Sequence, residues 1–263
     1  MERLLKIAIT GKGGVGKTTL SSTLARVFSE DGGKVLAVDA DPDANLAQSL
    51  GIVPEEIDKI KPIAQMADLV EERTGARPGA AGALFKLNPK VDDIPDEFSY
   101  RHKGIKLLVM GRSKAGGAGC YCPENVLLKS LVRHIILQRG EVVILDMEAG
   151  IEHLTRGTSG SVDAFIVVVE PGGRSVQTAK QVQSLAADLG IRKVYAVGNK
   201  VRSQEDRDFI AKSLPGMEVL GFMSYNPEVI EADLHAKEVY DSCPGLVSEV
   251  KEIKARIEAL VGK

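Results

Sequence analysis

Nine residues constrain this chain more than any other stretch: Gly11-Lys12-Gly13-Gly14-Val15-Gly16-Lys17-Thr18-Thr19. They lie between an apolar run, Leu4 to Ile9, and a run of helical character, Thr19 to Phe28. A strand, a glycine-rich turn and a helix in that order are what a phosphate-binding loop needs. The spacing G-x-x-x-x-G-K-T is complete. Glycines let successive backbone N–H groups curl around phosphate oxygens with no Cβ in the way. The first helical turn aims its unpaired N–H groups and its dipole at the same anion. The expected nucleotide contacts are therefore Gly11, Gly13, Gly14, Val15, Gly16, Lys17, Thr18 and Thr19. Lys17 is expected on the β- and γ-phosphates and the Thr18 hydroxyl on Mg²⁺.

Lys12 is an addition that an ordinary phosphate loop does not require. The pattern G-K-G-G-V-G-K-T-T resembles the deviant Walker A family, which includes septum-placing and plasmid-partitioning ATPases, the nitrogenase iron protein and metallocluster assembly ATPases. The resemblance implies that Lys12 reaches across a homodimer into the partner's nucleotide. A cation supplied in trans stabilises the charge that phosphoryl transfer spreads over the transferred group, by roughly 10³–10⁵ in rate for arginine fingers. Hydrolysis of ATP to ADP and phosphate would then depend on dimerisation, with Lys12, Lys17 and Asp41 as the catalytic set.

The length, 263 residues, suits one α/β domain spanning residues 1–263 with a sizeable core. Lys and Arg total 34 against 36 Asp and Glu, a net charge of −2 that argues against nucleic acid or an anionic membrane as partner. Trp is absent and aromatics are 4%, so base-stacking platforms are not expected. Three cysteines cannot all pair within one chain, and no signal-peptide pattern is seen; the expectation is a reduced, cytoplasmic protein.

Short apolar runs read as buried strands: Leu4–Ile9, Val35–Val38, Leu107–Met110, Val142–Leu145, Phe165–Val169, Val194–Val197 and Val219–Phe222. Helical stretches alternate with most of them: Thr18–Glu30, Ile63–Arg73, Pro123–Arg139, Ser175–Leu189, Gln204–Ser213 and Leu246–Leu260. The alternation predicts a mostly parallel sheet of about seven strands with helices on both faces. Gly75 to Pro95, rich in Gly, Ala and Pro, reads as a mobile surface insertion. The last helix carries Val247, Val250, Ile253, Ile257 and Leu260 as a stripe, but its mixed charges fit packing on the core better than a lipid anchor.

Val38-Asp39-Ala40-Asp41-Pro42-Asp43-Ala44-Asn45 follows the second strand, at the edge where ligands bind in an open α/β sheet. Asp41 is expected to position the attacking water or to hold Mg²⁺ through water, with Asp39 in support; Asp43 suits a turn or cap. The deviant Walker A resemblance assigns D-x-D-P the first nucleotide-sensing switch. Val142 to Asp146 is an apolar strand ending in a carboxylate, which poises Asp146 for Mg²⁺ through water. Met147 to Leu154 then occupies the second switch, where the Gly150 N–H could meet the γ-phosphate. Glu148, Glu152 and His153 read as solvated loop residues. The resemblance further implies that Asn199, in Gly198-Asn199-Lys200, meets the adenine edge, and Asn226 and Pro227 are expected to form the other wall of the base pocket.

Gly116 to Asn125 contains Cys120-Tyr121-Cys122-Pro123 and is expected to be a metal-binding loop. Pro123 opens a helix, whose N-terminus favours thiolates. Cys120 and Cys122 cannot close an unstrained disulfide on each other, and two thiolates do not complete a four-coordinate site. Two pairs meeting on a dimer axis give four sulfurs. Cys243 reads as structural. Taken together, K-G-G-V-G-K-T-T, D-x-D-P-D, G-x-C-Y-C-x-E-N and D-M-x-A-G-I-E-H-L-T-R-G-T resemble the CooC-type ATPases that mature carbon monoxide dehydrogenase and the similar AcsF-type proteins of acetyl-CoA synthase. That resemblance implies a dimer that binds nickel at Cys120 and Cys122 and uses ATP to help it enter a client apoenzyme. Four thiolates suit tetrahedral Zn²⁺ equally, so the metal itself is not legible in the residues. A nucleotide-switched scaffold of MinD or ParA type and an iron–sulfur carrier are the competing functions.

Overall fold

The computed structural model describes residues 5–78, 84–111, 122–149 and 161–261. In chain order the elements are β1 (Lys6–Gly11), α1 (Lys17–Glu30), β2 (Val35–Ala40), α2 (Leu46–Ser49), α3 (Pro54–Ile57), a 3₁₀ turn (Ile63–Gln65), α4 (Ala67–Thr74), α5 (Ile94–Glu97), β3 (Tyr100–His102) and β4 (Ile105–Val109). They continue with α6 (Pro123–Gln138), β5 (Val142–Met147), β6 (Ala164–Val169), α7 (Gly173–Asp188), β7 (Val194–Val201), α8 (Gln204–Ser213), β8 (Glu218–Ser224), α9 (Pro227–Leu234), α10 (Val239–Ser242) and α11 (Pro244–Val261).

One sheet runs β3-β4-β2-β5-β1-β6-β7-β8. Every neighbouring pair is parallel except β3 with β4. The expected architecture is therefore present, with eight strands among the described residues rather than about seven. The added strand is the edge strand Tyr100–His102, three residues long and half exposed, with no apolar period to announce it.

The inner strands are buried on both faces, and their residues alternate between two cores. Leu36, Val38, Val143, Leu145, Phe165 and Val167 face one side, against Leu69 of α4, Leu127, Leu131 and Ile135 of α6, and Val176 and Val182 of α7. Val35, Ala37, Ile144, Ile166 and Val168 face the other, against Leu20, Leu24 and Val27 of α1 and Leu246, Val250, Ile253 and Ile257 of α11. Leu20 and Leu24 are fully buried. Each such side chain contributes about 1.5–3 kcal/mol of transfer free energy, so α1 is held by its packed face and can leave its N-terminus for a ligand. The final helix also packs on the core through this stripe. No helix among the described residues is long and apolar enough to cross a membrane. Within the described part of the 75–95 stretch, Val91 and Ile94 reach the core, and Arg73 holds Asp93 at 2.6 Å.

β1 lies mid-sheet between β5 and β6. Its C-terminal end, with those of β2, β5 and β7, therefore defines the ligand edge. α6 returns the chain from β4 to the parallel β5, so its N-terminus at Cys122 stands on that same edge of the sheet.

Candidate active site

β1 leads directly into the loop, which turns at Gly11 (φ 149°), Gly14 (φ 77°) and Gly16 (φ 94°). These are conformations in which a Cβ is costly. Gly16 is also the N-cap of α1 and offers no side chain to its first N–H groups. Those donors remain available to an anion, and the dipole favours one there. Lys17 is buried to 6% exposure, and its Nζ lies 3.5 Å from Asp41 Oδ2. The predicted phosphate ligand and the predicted water-positioning carboxylate are thus brought together.

Two carboxylates sit beneath them. Asp39 and Asp146 occupy paired positions on β2 and β5, at 0% and 1% exposure. Asp39 accepts hydrogen bonds from the Leu46 N–H (2.9 Å) and the Asp41 N–H (3.3 Å), so it shapes the turn that carries Asp41. Burial, and then the charge of Asp146, pushes its pKa up to about 7. Asp146 accepts from the Ser21 hydroxyl at 3.1 Å through Oδ1. Burial pushes its pKa up to about 6, against the opposing pull of Thr18, Lys17 and Ser21. Its Oδ2 is buried with no hydrogen-bond partner. A buried, orphaned carboxylate oxygen beside Thr18 fits a divalent cation. Were Mg²⁺ bound here, Thr18 and Asp146 would be placed to hold it, and it would neutralise phosphate charge. Asp41 accepts from the Asp43 N–H, and the Asn45 amide donates to the Asp43 carbonyl, so Asp43 serves the turn as its type suggests.

A cleft of about 700 Å³ runs outward from the loop, lined by Lys17, Thr18, Asp41, Asn45, Ser49 and Lys200 and, farther out, by Val229, Ile230 and Lys237. Asn199 is 6% exposed and turns its amide onto the phosphate loop, where Nδ2 donates to the Val15 carbonyl at 2.7 Å. Asn226 caps α9 by accepting from the Glu228 N–H at 2.9 Å, with Pro227 at the first helical position. Thr10 donates to the Glu148 carbonyl at 2.6 Å and ties the start of the second switch to β1. Gly150, Glu152, His153 and Cys120 lie outside the described residues. Cys122 is the extended N-cap of α6, 5% exposed, with Pro123 opening the helix. Among the described residues, no cluster of three or more His, Cys, Asp or Glu forms a metal site. Sequence reasoning missed Lys200, Ser49 and Lys237, whose place at the cleft depends on how distant strands and helices meet.

A phosphate loop on β1, a carboxylate closing β5 and a lysine–aspartate pair over the crevice define a P-loop nucleotide-hydrolysing protein. Residues 6–239 match the CobQ/CobB/MinD/ParA nucleotide-binding domain, and the chain belongs to that family. It is 45% identical over 258 residues to the carbon monoxide dehydrogenase accessory protein CooC of Rhodospirillum rubrum, covering 98% of both chains. An uncharacterised ATP-binding protein of Methanocaldococcus jannaschii is 50% identical over 238 residues, covering 89% of this chain and 91% of that one. Within its family the chain is thus a CooC-type ATPase. Among solved structures, Pyrococcus horikoshii MinD with Mg-ADP aligns with a TM-score of 0.67 at 18% identity over 98% of each chain. A Borrelia burgdorferi plasmid partition protein bound to AMPPNP aligns at 0.68 and 15% identity, over 97% of this chain and 99% of that one. At these identities the likeness is one of fold.

Proposed function

We propose that this ATPase is a cytoplasmic metallochaperone which assists nickel insertion into the metallocluster of carbon monoxide dehydrogenase or acetyl-CoA synthase. The observation that carries the reading is the near full-length similarity to the carbon monoxide dehydrogenase accessory protein, in a chain that holds Cys120-Tyr121-Cys122. The place of Cys122 at the N-terminus of α6, whose dipole favours an anion, supports thiolate chemistry there. The metal is cargo, bound where two Cys120/Cys122 pairs meet on a dimer axis; Zn²⁺ suits the same four sulfurs.

In this reading ATP draws two copies together, and Lys12 of each completes the other's site. The loop N–H groups and Lys17 hold the phosphates. Thr18 holds Mg²⁺, assisted by Asp146 and Asp41, while Asp41 orients the attacking water. Gly150 senses the γ-phosphate. Hydrolysis relaxes both switches, and because α6 starts on the same edge of the sheet, the geometry of the shared sulfurs changes with them.

The test is metal content together with oligomer mass, measured anaerobically with ADP and with a slowly hydrolysed ATP analogue. One nickel per dimer is expected, lost in the Cys120→Ser/Cys122→Ser double variant with ADP affinity retained. Unchanged nickel in that variant would sink the shared-thiolate site, and a nucleotide-driven dimer that binds no metal would favour a scaffold.

A further inference from the structure

Gly198-Asn199-Lys200 closes β7 in a way that neither a plain strand end nor a base-reading residue requires. The β7–β8 ladder breaks its register between Gly198 and Val201. Inside the break Lys200 takes φ 56°, a left-handed conformation that is strained for a non-glycine residue. The turn sends its ammonium back onto the phosphate loop, where Nζ donates to the Gly14 carbonyl at 2.7 Å and meets Glu170 Oε2 at 3.1 Å. The adjacent Asn199 donates from Nδ2 to the next loop carbonyl, Val15, at 2.7 Å. The Asn199 Oδ1 accepts from the Lys200 N–H at 2.7 Å, which fixes the amide's orientation. Gly16 is shaped to this neighbour: a Cβ there would lie 2.1 Å from the Asn199 Nδ2.

We propose that Asn199 and Lys200 are positioning residues that clamp the phosphate loop from behind, with Glu170 steering the lysine. A peptide unit's N–H and C=O point in opposite directions. For loop N–H groups to converge on phosphates, the carbonyls of Gly14 and Val15 must turn outward; that of buried Val15 needs a protein donor, which Asn199 supplies, and that of exposed Gly14 is held in place by Lys200. The clamp supplies two neighbouring donors, one of them charged and therefore stronger. It is thus a determinant of phosphate affinity, separate from any contact with the base. The inference rests on the nucleotide site described above.

The experiment compares affinities for ADP, ATP, GTP and inorganic tripolyphosphate, with Mg²⁺, in the wild type and in Asn199→Ala, Lys200→Met and Glu170→Gln. The wild type's binding of tripolyphosphate tests the site itself; the variants test the clamp. Each variant is expected to lose affinity for ADP and for tripolyphosphate by the same factor, roughly ten- to hundredfold for Asn199→Ala, whose bond is buried, and about two- to fivefold for Lys200→Met, whose contacts are exposed. The ATP-to-GTP preference should stay as in the wild type, with Glu170→Gln shifted the same way by less. Lys200→Arg, which keeps a long cationic donor, should recover part of the loss. A collapse of the ATP-to-GTP preference with tripolyphosphate affinity intact would overturn the clamp in favour of base reading. Wild-type affinities in Lys200→Met, which alters only a half-exposed side chain and so keeps the test open if Asn199→Ala misfolds, would overturn it outright.

Discussion

Asp39 and Asp146 face each other across the β2–β5 ladder with almost no exposure, and the two groups oppose each other's ionisation. Both therefore hold a proton more tightly in the folded chain than in the unfolded one. Their contribution to stability is full below the ordinary aspartate range and is lost as pH rises through about 6 for Asp146 and about 7 for Asp39. Without Mg²⁺ and nucleotide, the wild type should gain stability as pH falls from 7.5 to 5.5, by an amount on the order of 2 kcal/mol from Asp39. Asp39→Asn keeps a side chain of the same shape and removes the titration, so its stability should vary less over that window. Denaturant melts of both proteins at several pH values provide the check, and parallel curves would refute the account.

At the scale of elements, the apolar runs and the turn chemistry of the loop are legible because each lies within a short window of chain. The inner strands and α1, α6 and α11 follow from such windows. Tyr100–His102 is not legible, since three half-exposed residues pair only because β4 offers an edge. Within the site, the complete G-K-T motif announces the phosphate loop, and the carboxylates at the ends of β2 and β5 announce its acidic side. Lys200 stays hidden because its partner carbonyl lies 186 residues away in the chain. Another such long-range fit ties α11 to the sheet. Gly221 of β8 lies so close that an added Cβ would sit 2.7 Å from the fully buried Ile253. Ile253→Ala should cost about 2–5 kcal/mol through lost burial and the cavity it leaves. Gly221→Ala should also destabilise, by overpacking. The double variant should cost less than the sum of the two, because the new methyl enters the space that the isoleucine vacates. Additive losses in urea titrations would show that helix and strand do not share that contact.

For the molecule as a whole, Lys12 is the residue whose role a single chain leaves open. It is partly exposed on the ligand edge, and its ammonium makes no hydrogen bond or ion pair among the described residues. Lys17 is by contrast buried and already paired with Asp41. A lysine that serves its own site and one that serves the partner's are distinguished by mixing subunits. Lys12→Ala should bind ADP yet hydrolyse ATP at least about 10³-fold more slowly than wild type, by analogy with cations supplied in trans, and Asp41→Ala should likewise bind ADP yet hydrolyse slowly, because the attacking water loses its orienting carboxylate. Mixed in equal amounts and allowed to exchange, half of the dimers are hybrids. In each hybrid the Lys12→Ala subunit keeps its own Asp41 and receives Lys12 from the other subunit, so one of its two sites is complete. Activity should return to about a quarter of wild type, the product of those two halves. If Lys12 acts only within its own subunit, every site in the mixture lacks either the lysine or the aspartate, and hydrolysis stays at the level of the separate variants. The return of activity on mixing would make the nucleotide site a property of the pair of chains, the same symmetry that two Cys120/Cys122 pairs need to surround one metal.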